Sequence, residues 1–187
     1  RFRYMNIQKR SIKFLERKEV EALIGSIKLD NLFGLRDRAL IEVLWSTGLR
    51  IAECLALPDA VFLSDKNETL ELSIVGKGNW RRTIYFSPAT LKSIKNYLAV
   101  RNTADTLLFP MTIRNAQYII KRRAEKAGFD GLHPHSLRHS YGTYIISQGE
   151  NLRIAQELLG HRSITSTQIY THISSPELRS AHKRLFK

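Results

Sequence analysis

Apolar residues recur at helical spacing along most of the chain. In the first segment of this kind, Val20, Leu23 and Ile24 share one face of the helix that the spacing predicts. Similar patterns continue to the end of the chain, and most are bordered by glycine, proline, serine or asparagine. The predicted helices cover residues 14–27, 35–48, 88–100, 111–128, 136–149, 151–160, 163–173 and about 176–186.

Residues that begin or end helices stand at the borders of these segments. Ser136 and Asn151 are predicted N-caps, because their side chains accept hydrogen bonds from free backbone N–H groups. Gly48, Gly128 and Gly160 are predicted stops, because glycine readily adopts the left-handed conformation that follows many helices.

The apolar period changes in the middle of the chain, where β-branched and aromatic residues become frequent. Gly76 and Gly78 mark a tight turn there. Short strands are predicted over residues 60–65, 69–78 and 81–88. The predicted fold class is therefore mainly α with a small antiparallel β-sheet (α+β).

The composition indicates a basic globular protein. The 187 residues include 30 Lys and Arg against 17 Asp and Glu, a formal net charge of +13. This charge favours a polyanionic partner such as nucleic acid; a basic protein without such a partner is the alternative. No apolar run approaches the roughly 18 residues of a membrane span, so no membrane partner is expected. The single cysteine, Cys54, agrees with a reducing, cytoplasmic compartment.

Arg50 lies in the sequence STGLRIAECLAL, directly after a glycine-terminated helix. A short apolar segment opens at this arginine and ends before Pro58. Glu53 follows three residues later, near enough on a helix to hold the guanidinium. The planar guanidinium matches two phosphate oxygens, whereas a surface ion pair is the alternative interpretation.

Lys77 lies in GKGN, the turn of the predicted hairpin. A hairpin tip could bring its ammonium group into a groove. Neighbouring cations that lower its pKa would then let it donate a proton to a leaving alkoxide. A turn lysine in water is the alternative.

The segment HPHSLRH, residues 133–139, combines three histidines with an arginine. His135 and Arg138 are three residues apart and would point to the same side of a helix start. His139 is four residues from His135, a spacing that metal ligands also use. No nearby Asp, Glu or Cys completes a zinc set, and the local arginines repel a dication, so no metal is expected. An anion clamp with proton-relaying histidines fits better.

The segment LGHRSITSTQIYTH supplies two further candidates. His161 follows Gly160 and precedes a helix that Ser163 opens, and helix N-termini favour anions. Tyr170 lies nine residues after His161. It is either a core aromatic residue with its hydroxyl at the rim or a nucleophile that forms a covalent intermediate.

Taken in order, these motifs resemble those of the tyrosine recombinase (phage integrase) family. The matching features are Arg50 in TGLRIAE, the hairpin Lys77, HSLRH, LGH, and Tyr170 in IYTH. The resemblance extends from about Leu15 to the end of the chain and is closest to Xer-like bacterial members and mobile-element integrases. It implies the tyrosine recombinase catalytic domain fold.

The resemblance implies a role for each candidate in DNA strand cleavage. Arg50 and Arg138 would bind the non-bridging oxygens of the scissile phosphate. Tyr170 would attack the phosphorus and form a 3′-phosphotyrosyl link. Lys77 would protonate the departing 5′ oxygen.

The remaining candidates would assist this reaction. The resemblance implies that His135 takes part in proton transfer with Tyr170 and that His161 hydrogen-bonds the phosphate. Glu53 matches the family's supporting acidic residue, and His139 is a further supporting candidate. No metal or other cofactor is implied.

The resemblance also implies a domain organisation. Residues 1–14 are expected to be a linker or the end of an upstream segment, and residues 15–187 the catalytic domain. The N-terminal core-binding domain of the family is expected to be absent from this chain. Relatives dock their last helix onto a neighbouring protomer in a tetramer on DNA; packing back onto its own domain is the alternative.

The predicted function is site-specific recombination at a double-stranded DNA target, in a bacterial or archaeal cytoplasm and associated with the nucleoid. A type IB topoisomerase-like enzyme shares this chemistry and is the nearest alternative. A non-catalytic DNA-binding regulator, in which Tyr170 is merely packed, is a second alternative. A metal-dependent nuclease that uses the histidines is a third.

Overall fold

The computed structural model describes residues 14–64, 70–76, 80–160 and 175–186. Within these ranges the chain is mainly helical with one antiparallel pair of strands, which confirms the predicted fold class. The helices are α1 (Arg17–Gly25), α2 (Leu32–Thr47), α3 (Ile51–Leu55), α4 (Ala60–Ser64), α5 (Pro88–Val100), α6 (Ile113–Lys126), α7 (Pro134–Ser147), α8 (Leu152–Leu159) and α9 (Ser175–Leu185). The strands are β1 (Leu70–Gly76) and β2 (Trp80–Phe86).

Helix α2 lies at the centre of the described domain and packs against α5 and α7. It begins after Asn31, whose side chain accepts a hydrogen bond from the Gly34 backbone N–H at 2.9 Å. It ends at Gly48, which has a φ of 62° and confirms the predicted stop. A side chain at Gly48 would collide with the Tyr141 ring, because an added Cβ would lie 2.5 Å from Tyr141 Cδ1. The glycine therefore allows both the turn and the close packing of α7.

Strands β1 and β2 form a two-stranded hairpin in which Leu70 pairs with Phe86. The strand predicted over residues 60–65 is not observed, and this prediction is wrong, because Ala60–Ser64 is the short helix α4. The backbone N–H groups of Phe62 and Leu63 both donate to the Asp59 carbonyl, which closes one helical turn. A short apolar run does not distinguish a helix from a strand by its period alone.

The beginning of α7 also differs from the prediction. The N-cap is His133, and Ser136 lies inside the first turn, where it is buried. His133 Nδ1 accepts a hydrogen bond from the Ser136 backbone N–H at 3.2 Å, while Pro134 takes the first helical position. The other predicted N-cap is confirmed, because Asn151 Oδ1 accepts from the Arg153 N–H at 2.9 Å. Gly160 follows α8 with a φ of 64°, as predicted.

The C-terminal helix α9 packs against its own domain. Ala181, His182 and Leu185 are buried there. His182 Nε2 lies 2.9 Å from the Ser46 carbonyl oxygen, and the Tyr144 hydroxyl donates to the Leu185 carbonyl oxygen at 3.0 Å. The structure thus shows the helix in the intramolecular arrangement that the sequence left as an alternative.

The buried imidazole of His182 predicts an acid-sensitive fold. Burial lowers the pKa of His182 from 6.5 to about 4, although the hydrogen bond to Ser46 opposes the shift. The unfolded chain therefore binds an extra proton between these pH values, so stability is complete above about pH 6.5 and falls toward pH 4. We expect a loss on the order of 3 kcal/mol by pH 4, measured by urea unfolding.

The matched control for this prediction is His182→Gln, which does not titrate and retains a donor for the Ser46 carbonyl. Its free energy of unfolding should decline less than that of the wild type between pH 7 and pH 4. Equal declines in the two proteins would show that other groups cause the acid sensitivity.

Candidate active site

Arg50 lies at the N-terminus of α3, directly after the turn that ends α2. Its backbone N–H donates to Glu53 Oε2 at 2.8 Å, and its Nη1 donates to Glu53 Oε1 at 3.1 Å. The side chain is 41% exposed. Glu53 therefore holds the Arg50 guanidinium, as its spacing predicted, while solvent still reaches it.

Arg82 on β2 is a site residue that sequence reasoning missed. Its Nη1 and Nη2 donate to Glu53 Oε1 and Oε2 at 3.1 and 2.7 Å, so the two groups form a paired contact. The Arg82 side chain is only 5% exposed. A signal was present in the sequence, because Arg82 alternates with the apolar residues Ile84 and Phe86 and lies on the same side of the strand as these two buried side chains.

The Glu53 carboxylate is stabilised in its charged form. Burial by itself would raise its pKa, but hydrogen bonds from the Arg82 side chain and from the Arg50 backbone and side chain outweigh that effect. The pKa of Glu53 consequently lies below its ordinary value. The carboxylate thus remains a permanent negative anchor between two arginines at neutral pH.

Arg138 lies in the first half of α7 and is buried. Its Nη1 donates to the Gly48 carbonyl oxygen and its Nη2 to the Leu159 carbonyl oxygen. Both carbonyls lie at helix C-termini, where backbone oxygens lack helical partners and the helix dipole is negative. Burial, followed by repulsion from Arg50 and Arg82, lowers the pKa of Arg138 to about 10, so it remains a cation at neutral pH.

His135 and His139 lie beside Arg138 along one groove between α7 and α8. The groove has a volume of about 510 Å³, and both histidines are exposed. The predicted common direction of His135 and Arg138 is therefore observed. The His135 ring also lies nearly parallel to the His133 ring, with 6.4 Å between their centroids.

Lys77, His161 and Tyr170 lie outside the described residues. Their predicted roles therefore stay predictions. Of the six predicted catalytic residues, the structure places Arg50, His135 and Arg138. It also places the two supporting candidates, Glu53 and His139.

The described part of the site suits an anion. Arg50, Arg82 and Arg138 carry three positive charges against the single charge of Glu53, which leaves a formal surplus of two. Arginine donors match the oxygens of a phosphate group. Over the described ranges, no three His, Cys, Asp or Glu side chains come together as metal ligands would. None of the helices described is long and apolar enough to cross a membrane.

A sequence profile of the Phage integrase family matches residues 13–177. The chain belongs to this family. Among its relatives, XerC tyrosine recombinase of Listeria innocua is 36% identical over 193 residues, which cover 95% of this chain and 63% of that protein. XerD tyrosine recombinase of Ralstonia nicotianae is 38% identical over 183 residues, covering 91% of this chain and 59% of that protein. The chain thus spans about three-fifths of the length of these relatives.

Solved structures of tyrosine recombinases share the fold of this phage integrase family member. The XerH recombinase bound to its difH substrate superposes with a TM-score of 0.69 at 26% identity, covering 81% of this chain and 47% of that one. The XerA recombinase gives a TM-score of 0.69 at 27% identity, covering 91% and 64%. The fold and family implied by the sequence motifs are therefore confirmed.

Proposed function

We propose that this chain is the catalytic domain of a site-specific DNA recombinase that cleaves and rejoins strands through a 3′-phosphotyrosyl intermediate. The observation that supports it most is a cluster of three arginines in a phage integrase family member. Arg50 and Arg82 share the Glu53 carboxylate, and Arg138 lies near enough to both arginines to be repelled by them. A phosphodiester repels an attacking oxygen, and positioned cations reduce that repulsion as negative charge develops.

In this proposal Arg50 and Arg138 bind the two non-bridging oxygens of the scissile phosphate. Arg50 suits the role because its side chain is anchored by Glu53 and still reaches solvent. Arg138 suits it because two helix-end carbonyls fix part of its guanidinium while it lines the groove beside His135. Preorganised donors of this kind need no rearrangement when the reaction occurs.

The chemical step is a transesterification in which the phosphorus stays on the DNA 3′ oxygen and exchanges its bond to the 5′ oxygen for a bond to Tyr170. The phenol oxygen forms a bond to phosphorus, the bond to the 5′ oxygen breaks, and Lys77 protonates that oxygen. His135 accepts the phenol proton, and His161 hydrogen-bonds the phosphate. The new phosphodiester bond conserves the energy of the old one, so a 5′-hydroxyl can attack it to rejoin a strand. The proposal includes no cofactor.

The proposed partners are a duplex containing a recombination site and further copies of this chain. The XerH relative is a site-specific recombinase bound to its difH substrate, which supports DNA as the partner here. We propose that the copies form a tetramer on DNA and exchange α9 between protomers. We also propose that the protein acts at the nucleoid in a bacterial or archaeal cytoplasm. An exchanged α9 would bring Ala181, His182 and Leu185 to the same surface of a neighbouring copy.

The decisive prediction concerns Tyr170. A nicked suicide duplex carrying the recombination site should yield a covalent protein–DNA adduct. Cleavage next to the nick releases a short fragment that carries the 5′-hydroxyl, and its loss prevents religation. Tyr170→Phe should abolish the adduct while DNA affinity is retained, measured by denaturing gel electrophoresis and fluorescence anisotropy. Binding without any wild-type adduct would favour the DNA-binding regulator. Relaxation of supercoiled DNA without strand exchange would favour the type IB topoisomerase-like enzyme.

Removal of a phosphate-binding arginine should slow cleavage strongly. We expect Arg50→Ala and Arg138→Ala each to lower the single-turnover rate by about 10²–10³, the usual effect of losing one preorganised donor. Lysine at either position should lose less, because it keeps the charge but not the paired donors. Arg50→Ala should leave the urea midpoint nearly unchanged, since its side chain is 41% exposed. Near-normal cleavage by Arg50→Ala would remove it from the site.

The role of Lys77 can be tested through the leaving group. Lys77→Ala should slow cleavage of the natural substrate, because the departing 5′ oxygen needs a proton. A substrate with sulfur in place of that oxygen should restore much of the rate, because a thiolate leaves without protonation. The rates of both proteins on both substrates give the comparison. An equal loss on both would assign the proton to another group.

A further inference from the structure

Arg82 contacts two separate elements, and each of them lies next to residues that the sequence predicts for the active site. One is α3 with Arg50 and Glu53, and the other is the end of α8, where Gly160 precedes His161. We propose that Arg82 is a positioning residue that sets the orientation of Arg50 and fixes the α8 end for phosphate cleavage. This inference rests on the proposed recombinase function.

The first connection runs through the Glu53 carboxylate. Each of its oxygens accepts one hydrogen bond from Arg82 and one from Arg50, with the Arg50 backbone as one of the two Arg50 donors. Arg82 is buried and arises from a paired strand, whereas the Arg50 side chain is half-exposed, so Arg82 is the more constrained of the two partners. Arg82 thereby fixes the orientation of the Glu53 carboxylate, and the carboxylate in turn orients the Arg50 guanidinium.

The second connection is a close contact with the backbone after α8. A Cβ added at Gly160 would lie 2.6 Å from Arg82 Cδ and 2.9 Å from Nη1. The arginine therefore crosses directly over the glycine, which has a φ of 64°. One residue earlier, the Leu159 carbonyl accepts from Arg138. Two arginines from different elements thus contact the chain where it leaves α8, Arg138 through a hydrogen bond and Arg82 through close packing.

Filling space does not by itself explain an arginine at this position. Its Nε is buried and has no hydrogen-bond partner among the described residues, which is unfavourable. An apolar side chain would fill the same volume without that cost. A lysine would carry the charge, but it lacks the planar pair of donors that meets both Glu53 oxygens. The paired contact accordingly indicates an orienting role.

The principal test uses the variant Arg82→Met with Glu53→Gln. The glutamine removes the carboxylate charge that would otherwise be left buried opposite methionine, and so protects the fold. We expect the single-turnover cleavage rate at saturating DNA to fall on the order of 100-fold, as misplacement of reacting groups does. The dissociation constant for DNA should stay within a few-fold of wild type, measured by anisotropy.

A mutant cycle separates positioning from a general structural effect. If Arg82 acts through Arg50, the paired variant should cost little further cleavage in an Arg50→Ala background. Additive losses of cleavage rate in the cycle would overturn the proposal. A loss of rate proportional to the loss of urea midpoint across the variants would overturn it as well. Arg82→Lys should have a urea midpoint close to that of the wild type but a clearly lower cleavage rate.

The α8 contact is tested with two glycines that share a left-handed backbone. Gly160→Ala should push Arg82 aside and lower the cleavage rate. Gly149→Ala has a similar conformational cost at a φ of 81°, but nothing lies within 4 Å of its added Cβ, so its rate should match the wild type. Equal rates for the two variants would contradict the role of this contact.

A readout that needs no cleavage distinguishes this inference from the proposed function. The ¹⁵N relaxation of the Arg50 Nε–H group should show an ordered side chain in the wild type and a more mobile one in the paired variant. Absence of a covalent adduct in the wild type would refute the recombinase proposal. Unchanged Arg50 order in the paired variant would refute the positioning role.

Discussion

The described site depends on one carboxylate, Glu53, shared between a buried and a half-exposed arginine. Both oxygens are occupied, so the carboxylate has a single orientation, and its charge is held by its neighbours against the cost of burial. Like-charged guanidinium groups would otherwise repel one another at short range. This one anion permits a concentrated positive site whose remaining surplus is available to a phosphate.

Arg138 reaches the same region by a different physical route. It has no carboxylate partner of its own among the described residues; the ends of two helices supply carbonyl oxygens and the negative poles of their dipoles. The close packing of α7 on the turn at Gly48 makes this contact geometry available, because the glycine leaves room for Tyr141. The ends of α2 and α8 therefore hold a residue of the candidate active site in place.

Local patterns predicted much of this structure, and long-range contacts account for what they missed. The glycine stops at positions 48 and 160 and the Arg50–Glu53 spacing depend on neighbours within one or two turns. Arg82 meets Glu53 across 29 residues, so only the strand alternation hinted at its burial. The helix at Ala60–Ser64 resembled a strand because five apolar-rich residues carry too little periodicity. The cap at His133 was missed because Ser136 matched the commoner preference.

The intramolecular position of α9 has a consequence for self-association. The surface around Ser46 and Tyr144 is already occupied by a ligand tethered to the same chain. A segment of the same chain competes at a higher effective concentration than a separate copy at ordinary dilution. A second copy that used this surface would therefore have to displace the resident helix. Reciprocal displacement would cost least, because each interaction broken within one chain would form again with its neighbour.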